Sequence, residues 1–169
     1  TYDEAEEIER AKREIHDFLA RLEKMAHSDA AVGDFFGFLR QEMHRLMESV
    51  AEVVWVVGEN GQVEPVCHAG IEATGVSGSP EATDAHNRMV SGLFGSPTGL
   101  LVPPGGNVAG PDGAEAGTNT SGLLVISAPI DSQAGRAGLI EVFHQPNQED
   151  VQRGYLRFSE QVAALAAIY

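Results

Sequence analysis

Hydrophobic positions in the first third of the chain recur at helical spacing. Apolar side chains fall every three or four residues over 3–26 and again over 30–51, which predicts two amphipathic helices. Within the first helix they form a stripe of nearly three heptads, the repeat of a coiled-coil seam. The stripe consists of Ile8, Ala11, Ile15, Phe18, Leu22 and Met25.

After Glu52 the pattern changes to that of strands. The apolar, β-branched run 53–57 predicts a buried strand, and Asn60-Gly61 predicts a tight turn into a second strand over 62–68. The later patterns predict a third helix over 81–94, strands over 98–102, 122–130 and 136–145, and a closing helix over 148–168.

This order predicts an α+β fold with a central antiparallel sheet of about five strands, flanked by helices, because hairpins occur without βαβ alternation. The length of 169 residues fits one domain of this kind, over 29–169, preceded by the amphipathic helix within 1–28. The glycine-rich segment 104–121 holds almost no large apolar side chain, so we expect a flexible loop that is too polar to pack.

Charge and composition narrow the classes of partner. The formal net charge is −14, and beyond residue 30 six arginines face sixteen acidic residues. Nucleic acid and anionic membrane surfaces need clustered cations, so neither is an expected partner. The chain begins at Thr1 and stops after an apolar run, so we expect a piece of a longer protein with further domains. A cytoplasmic location is favoured, and membership of a membrane-associated protein stays open.

The first predicted hairpin is the run Val53-Val-Trp-Val-Val-Gly-Glu-Asn-Gly-Gln-Val-Glu-Pro-Val-Cys-His-Ala-Gly70. This run is similar to the opening hairpin of GAF domains, and the order of the predicted elements resembles the order in that family. The segments 123–130 and 137–143 resemble later strands, and 148–168 resembles the closing helix. The resemblance implies a regulatory, sensory or scaffolding module without catalysis, which binds a small molecule or none.

A second resemblance is to the GAF-like part of haemolysin-D-type membrane-fusion proteins, the adaptors of bacterial export systems. It implies the alternative function, a structural domain of a secretion or efflux assembly with no ligand. An enzyme is the third alternative. The sequence contains no Gly-x-Ser-x-Gly elbow and no phosphate-binding loop to support an enzyme. The neighbouring carboxylates Glu149 and Asp150 do not indicate a catalytic pair, because they open a helix, where acidic residues stabilise the helix dipole.

Four residues are candidates for lining a ligand pocket: His68, His86, Met89 and Phe94. Side chains such as Met89 and Phe94 filling this space would instead favour the structural alternative. His68, His86 and His144 match no compact metal-ligand spacing, so we predict no metal site and no cofactor.

Cys67 is the single cysteine, and we expect it to be buried and inert. Bilin-attaching GAF domains place their cysteine in a different setting, and the methionine-sulfoxide-reducing members use several cysteines. The lysine of the cyclic-nucleotide signature is also absent, since no lysine follows Lys24.

The heptad stripe and the small residues of the closing helix suggest a homodimer. The expected interface residues are Ile8, Ile15, Phe18, Leu22, Leu165 and Ile168. The alternative is that the stripe packs on its own domain, because fewer than three heptads are marginal as an isolated coiled coil.

Overall fold

A computed structural model describes residues 2–110 and 117–169. It contains four α-helices, α1 Tyr2–Ala26, α2 Val32–Met47, α3 Pro80–Gly95 and α4 Glu149–Ala166, and a 3-10 turn at Ile71–Thr74. The strands are β1 Ala51–Val57, β2 Val63–Ala69, β3 Leu100–Val102, β4 Asn107–Val108, β5 Gly117–Thr118, β6 Leu124–Ser132 and β7 Gly135–His144. The predicted α+β fold is confirmed.

Five of the strands form one antiparallel sheet, as the sequence pattern predicts, and their order in it is β2-β1-β7-β6-β3. The β1–β2 turn closes with Gly61 N–H donating to the Gly58 carbonyl at 2.9 Å. Gly61 alone takes a positive φ there, at 78°. The second helix is shorter than predicted, because Glu48 turns into the left-handed region at φ 54° and frees the chain to enter β1.

One face of the sheet carries the larger core. Helices α2 and α4 lie on this face, and α1 packs across both of them as an outer layer. The aromatic rings of Phe18 and Phe158 meet at 6.0 Å between centroids, which joins α1 to α4. We call this side the helix face.

Among the α-helices of the described residues, α3 alone covers the opposite face of the sheet, which we call the α3 face. Met89, Val90 and Leu93 of α3 pack there against β-strand side chains such as Leu139 and Phe143. The 3-10 turn also contacts β1 at this side of the molecule. Burial of these apolar side chains holds α3 against the sheet.

The expectation that segment 104–121 is too polar to pack is wrong for the parts of it that the structure describes. Residues 105–110 and 117–121 are here called the β4–β5 strap. They contain a two-stranded ribbon, in which Asn107–Val108 pairs with Gly117–Thr118, and the ribbon packs on α3. Asn119 is 1% exposed, and its amide donates to the carbonyls of Val102, Pro103 and Leu123. The remaining residues, 111–116, lie outside the described part of the chain.

Glycine has a different role in the strap from the one expected. A Cβ on Gly117 would stand 2.5 Å from the Met89 backbone, and one on Gly92 would stand 2.7 Å from the Ala109 carbonyl oxygen. These glycines permit close approach of two backbones, which a count of apolar side chains does not register.

Candidate functional site

The polar centre of the α3 face is a buried glutamate on β7. Glu141 is 0% exposed and lies opposite Val53 of β1 in the sheet register. Side chains alternate between the two faces along a strand, so Glu141 shares its face with Leu139 and Phe143, below α3. An ionisable group in such a place requires hydrogen-bond partners.

Two side chains from different elements supply those partners. The Nε2–H group of His86 on α3 donates to the two carboxylate oxygens of Glu141, at 2.8 and 3.1 Å. The indole N–H of Trp55 on β1 donates to Oε1 at 3.0 Å. We call Trp55, His86 and Glu141 the Glu141 cluster. It ties β1, β7 and α3 together and fixes the orientation of the His86 ring as well as the position of the indole.

A cleft opens beside this cluster, between α3 and the β1–β2 hairpin. We call it the hairpin cleft, and its volume is about 360 Å³. Its walls are Trp55, Gln62, Val63, Asn87, Val90, Ser91 and Phe94. The lining combines two aromatic rings and two valines with two amides and a hydroxyl, a mixture typical of sites for small organic molecules.

The four predicted ligand residues have different positions. Phe94 lines the hairpin cleft, while His86 lies behind its wall, paired with Glu141. Met89 is 1% exposed and fills the core between α3 and the sheet. His68 is exposed on the edge strand β2, separated from Glu141 by Val53 in the register. The interior of the α3 face is thus filled by side chains, Met89 among them, which is the outcome that the structural alternative predicts for that space. Open space remains at the hairpin end of this face and beside the strap.

The histidines do not converge on a metal. His144 is bound elsewhere, with Nε2 at 2.7 Å from the Met47 carbonyl at the end of α2. Within 2–110 and 117–169, no group of three or more His, Cys, Asp or Glu side chains is arranged to hold a metal ion.

Cys67 lies on the helix face, away from the hairpin cleft. Its thiol is partly buried and stands 3.6 Å from the carbonyl oxygen of Phe36. Burial raises the pKa of the Cys67 thiol, while the positive charge of Arg40 opposes that shift. A neutral thiol is a poor nucleophile, so its surroundings do not favour covalent attachment of a ligand.

The helix face holds a second buried carboxylate. Glu52 is 1% exposed and accepts hydrogen bonds from Arg40 at 3.0 Å, His44 at 2.8 Å and Ser49 at 2.7 Å. These three donors come from α2 and the turn that follows it, so the Glu52 network fastens α2 to β1. Its donors enclose the carboxylate, which leaves Glu52 with a structural role.

Sequence reasoning missed Glu52, Trp55, Gln62, Asn87 and Glu141. One signal was available for the glutamates, because each interrupts an otherwise apolar run, 50–57 for Glu52 and 137–143 for Glu141, and a buried charge must be paired. No comparable signal exists for Gln62 and Asn87, which meet only when the hairpin folds against α3.

The residues expected at a dimer interface fall into two groups, one buried in the domain and one exposed. Phe18 and Leu22 are 1% and 0% exposed because α2 and α4 cover them, so the stripe packs on its own domain here. Ile15 and Leu165 are partly buried against the same core, whereas Ile8 is 56% and Ile168 44% exposed.

The two exposed residues lie near opposite ends of the helix layer. Tyr169, next to Ile168, stacks on Phe35 and donates a hydrogen bond to the Ala30 carbonyl, just beyond the end of α1. Eighteen residues of α1 separate Ile8 from that end, which corresponds to about 27 Å of helix.

Comparison with known proteins identifies the fold. The chain is similar to the GAF domain of A. aeolicus nlh2 in an inactive state, at 13% identity and a TM-score of 0.63, over 94% of this chain and 96% of that one. It is also similar to the GAF domain of an Acinetobacter phosphoenolpyruvate-protein phosphotransferase, at 14% identity and a TM-score of 0.56, with 89% and 91% covered.

A third similar structure is the far-red absorbing dark state of JSC1_58120g3 with bound biliverdin, at 13% identity and a TM-score of 0.55, with 89% and 96% covered. At these identities the likeness establishes the GAF fold, which confirms the resemblance at that level. Nothing found supports the resemblance to membrane-fusion proteins. No family model and no curated protein matches the sequence. No helix among the described residues is long and apolar enough to cross a membrane.

Proposed function

We propose that this chain is a non-catalytic regulatory module that binds a small molecule in the hairpin cleft. The observation that carries the proposal is the cleft itself, an opening with aromatic and amide walls beside a buried polar cluster. A purely structural domain would need only the packed core of the α3 face and would have no use for the cleft. The GAF fold supports the same function, because one of the similar structures contains biliverdin.

The cleft also has a physical connection to the rest of the domain. A ligand in contact with Trp55 touches a side chain that is hydrogen-bonded to Glu141, and Glu141 in turn holds His86 of α3. A ligand that favours one position of the indole therefore biases the packing of α3, which is the requirement for a regulatory effect.

Retention of a compound during purification tests this function. The purified chain is denatured, and released small molecules are identified by mass spectrometry. Ser91→Phe fills the cleft and is expected to lose the retained compound, while Thr98→Val, which lies outside the cleft, keeps it. Equal recovery from both variants would contradict binding in the cleft, and so would a parent chain that retains nothing and shows no thermal shift with any metabolite tested.

We also propose self-association through the first half of α1. Residues 3–14 of this helix are exposed, and Ile8 and Ala11 continue the stripe beyond the part that the domain covers. Ile8 and Ile15 occupy the a positions of the heptad, where parallel two-stranded coils favour isoleucine, and Glu7 and Lys12 occupy facing g and e positions. The short seam implies weak association.

Sedimentation across the micromolar range tests the dimer. Ile8→Glu is expected to abolish self-association, and Arg10→Gln, which changes the net charge equally but lies off the stripe, is expected to retain it. The earlier candidate Leu22 is unsuitable for this test because it belongs to the core. A monomeric parent chain at all concentrations would overturn this proposal.

A further inference from the structure

The chemical class of the ligand can be inferred from the walls of the hairpin cleft, an inference that rests on the proposed function. None of the residues that line the cleft carries a charge. Glu64, next to Val63, belongs to the opposite face, because it pairs with Val56 of the helix-face core. One cation near the cleft, Arg136, already donates hydrogen bonds to Asp131 and to the carbonyls of Phe94 and Ser96.

An anionic ligand would therefore meet no cation among the residues that line the cleft, in a protein whose net charge is −14. A cationic ligand would meet no exposed carboxylate there, because Glu141 is wholly buried and already accepts from His86 and Trp55. Moving either charge out of water without a partner is unfavourable. The cleft thus selects an uncharged molecule.

The aromatic walls favour a planar molecule. Trp55 and Phe94 both border the cleft, and the indole of Trp55 is held in place by its hydrogen bond to Glu141. A ring fixed in this way loses little conformational freedom when another ring stacks on it. The volume of about 360 Å³ lies at the small end of ligand sites, which suits one or two fused rings.

The polar side chains of the cleft have hydrogen-bonding capacity to spare. The amides of Gln62 and Asn87 and the hydroxyl of Ser91 make no side-chain hydrogen bond with any residue in the described parts of the chain. An amide offers a donor and an acceptor side by side, which matches a lactam or a ring nitrogen next to an N–H group.

We propose that the hairpin cleft binds an uncharged, planar aromatic heterocycle of one or two rings, stacked on Trp55 and hydrogen-bonded at its edge by Asn87 and Gln62. Carboxylates, phosphates and covalently attached pigments are outside this class. A bound ligand contacts the indole of Trp55, and the hydrogen bond from this indole to Glu141 connects the ligand to the Glu141 cluster.

The single tryptophan of the chain makes the test direct, because its indole N–H gives one identifiable peak in a ¹H–¹⁵N spectrum. Three probes of similar size separate the classes: quinazolin-4-one is neutral and planar, 2-naphthoate is anionic and planar, and cyclohexanecarboxamide is neutral but not planar. We expect quinazolin-4-one to shift the Trp55 peak in a saturable way below about 10 mM, with the other two at least about tenfold weaker.

Variants locate the binding. Asn87→Leu removes the amide and Phe94→Leu removes a ring, and each is expected to weaken quinazolin-4-one by about fivefold or more. Asp84→Ala, on the same helix outside the cleft, is the matched control and is expected to bind as the parent chain does.

Three results would overturn the ligand class: 2-naphthoate or cyclohexanecarboxamide binding as tightly as quinazolin-4-one, Asn87→Leu binding unchanged, or no saturable shift with any probe. The first of these, if Phe94→Leu abolishes it, leaves the proposed function standing with another ligand class. The proposed function itself fails separately, in the retention experiment with Ser91→Phe.

Discussion

The two faces of the sheet each bury one glutamate, and they stabilise it differently. On the helix face, Glu52 is held by a permanent cation, Arg40, together with a histidine and a hydroxyl. On the α3 face, Glu141 is held by an imidazole and an indole, neither of which carries a fixed charge. The donors of Glu52 surround its carboxylate, whereas one donor to Glu141, Trp55, also lines an open cleft.

The comparison teaches that burial alone does not identify a functional carboxylate. Both glutamates are almost inaccessible to solvent, and both join a helix to the sheet. The difference lies in their neighbours, since one of Glu141's donors borders the hairpin cleft and is free on its other side to contact a ligand. Glu52 has no such neighbour among the described residues, so we assign it to stability alone.

The largest expected effect comes from breaking the Glu52 network. Glu52→Gln leaves the partly buried Arg40 without its anion, and removal of one partner of a buried pair costs about 3–5 kcal/mol. Chemical denaturation should show this decrease in the free energy of unfolding. The control Glu149→Gln breaks an exposed pair with Arg153 and should cost less than about 1 kcal/mol. If both variants lose the same free energy of unfolding, the buried pair is no more important for stability than the exposed pair.

The next effect concerns the strap that covers α3. Gly117→Ala forces a methyl group into the Met89 backbone and should cost about 1–3 kcal/mol. Gly37→Ala is the control, because a Cβ there meets nothing within 4 Å and alanine favours the helix by up to about 1 kcal/mol. Thermal unfolding distinguishes them. If Gly117→Ala is as stable as the parent chain, the strap does not pack as the structure shows.

A smaller effect is expected at Glu141. Glu141→Gln keeps an acceptor for the indole and leaves no fixed cation unpaired, so the loss should be about 1–2 kcal/mol. It should nevertheless move the Trp55 indole N–H peak, which Glu52→Gln leaves in place. A loss as large as that of Glu52→Gln would show that His86 acts as a fixed cation, and the proposed difference between the faces would not hold.

Cys67 provides the smallest effect. Cys67→Ser should change the free energy of unfolding by less than about 0.5 kcal/mol, because the thiol is only partly buried. Iodoacetamide should react more slowly with the folded chain than with the chain in urea. Fast labelling of the folded chain would indicate an activated thiol instead.

The pH dependence at Cys67 has a definite sign. Burial raises the thiol pKa above its usual 9.0, so the folded state binds this proton more tightly than the unfolded state. Its contribution to stability is complete below pH 9.0 and decreases as the pH rises through the folded-state value. Cys67→Ser should therefore flatten the decline in stability at alkaline pH.

The sequence by itself determined the order of elements and the antiparallel sheet. Helical and strand periodicity are local properties, and the turn at Asn60-Gly61 depends on neighbouring residues only. The stripe of α1 was also visible locally. Its partner was not, because Phe18 and Leu22 are equally apolar whether α2 and α4 or a second chain cover them.

Tertiary structure alone decided the site and the strap. The Glu141 cluster joins residues that are 31 to 86 positions apart in the chain, so no local pattern connects them. The strap packs closely on α3 because Gly117 of the strap and Gly92 of α3 have no side chain at the contact. A search of the sequence for apolar residues takes such glycines as a sign of flexibility. Long-range pairing and close backbone contact depend on where distant elements meet, and only the folded chain specifies that.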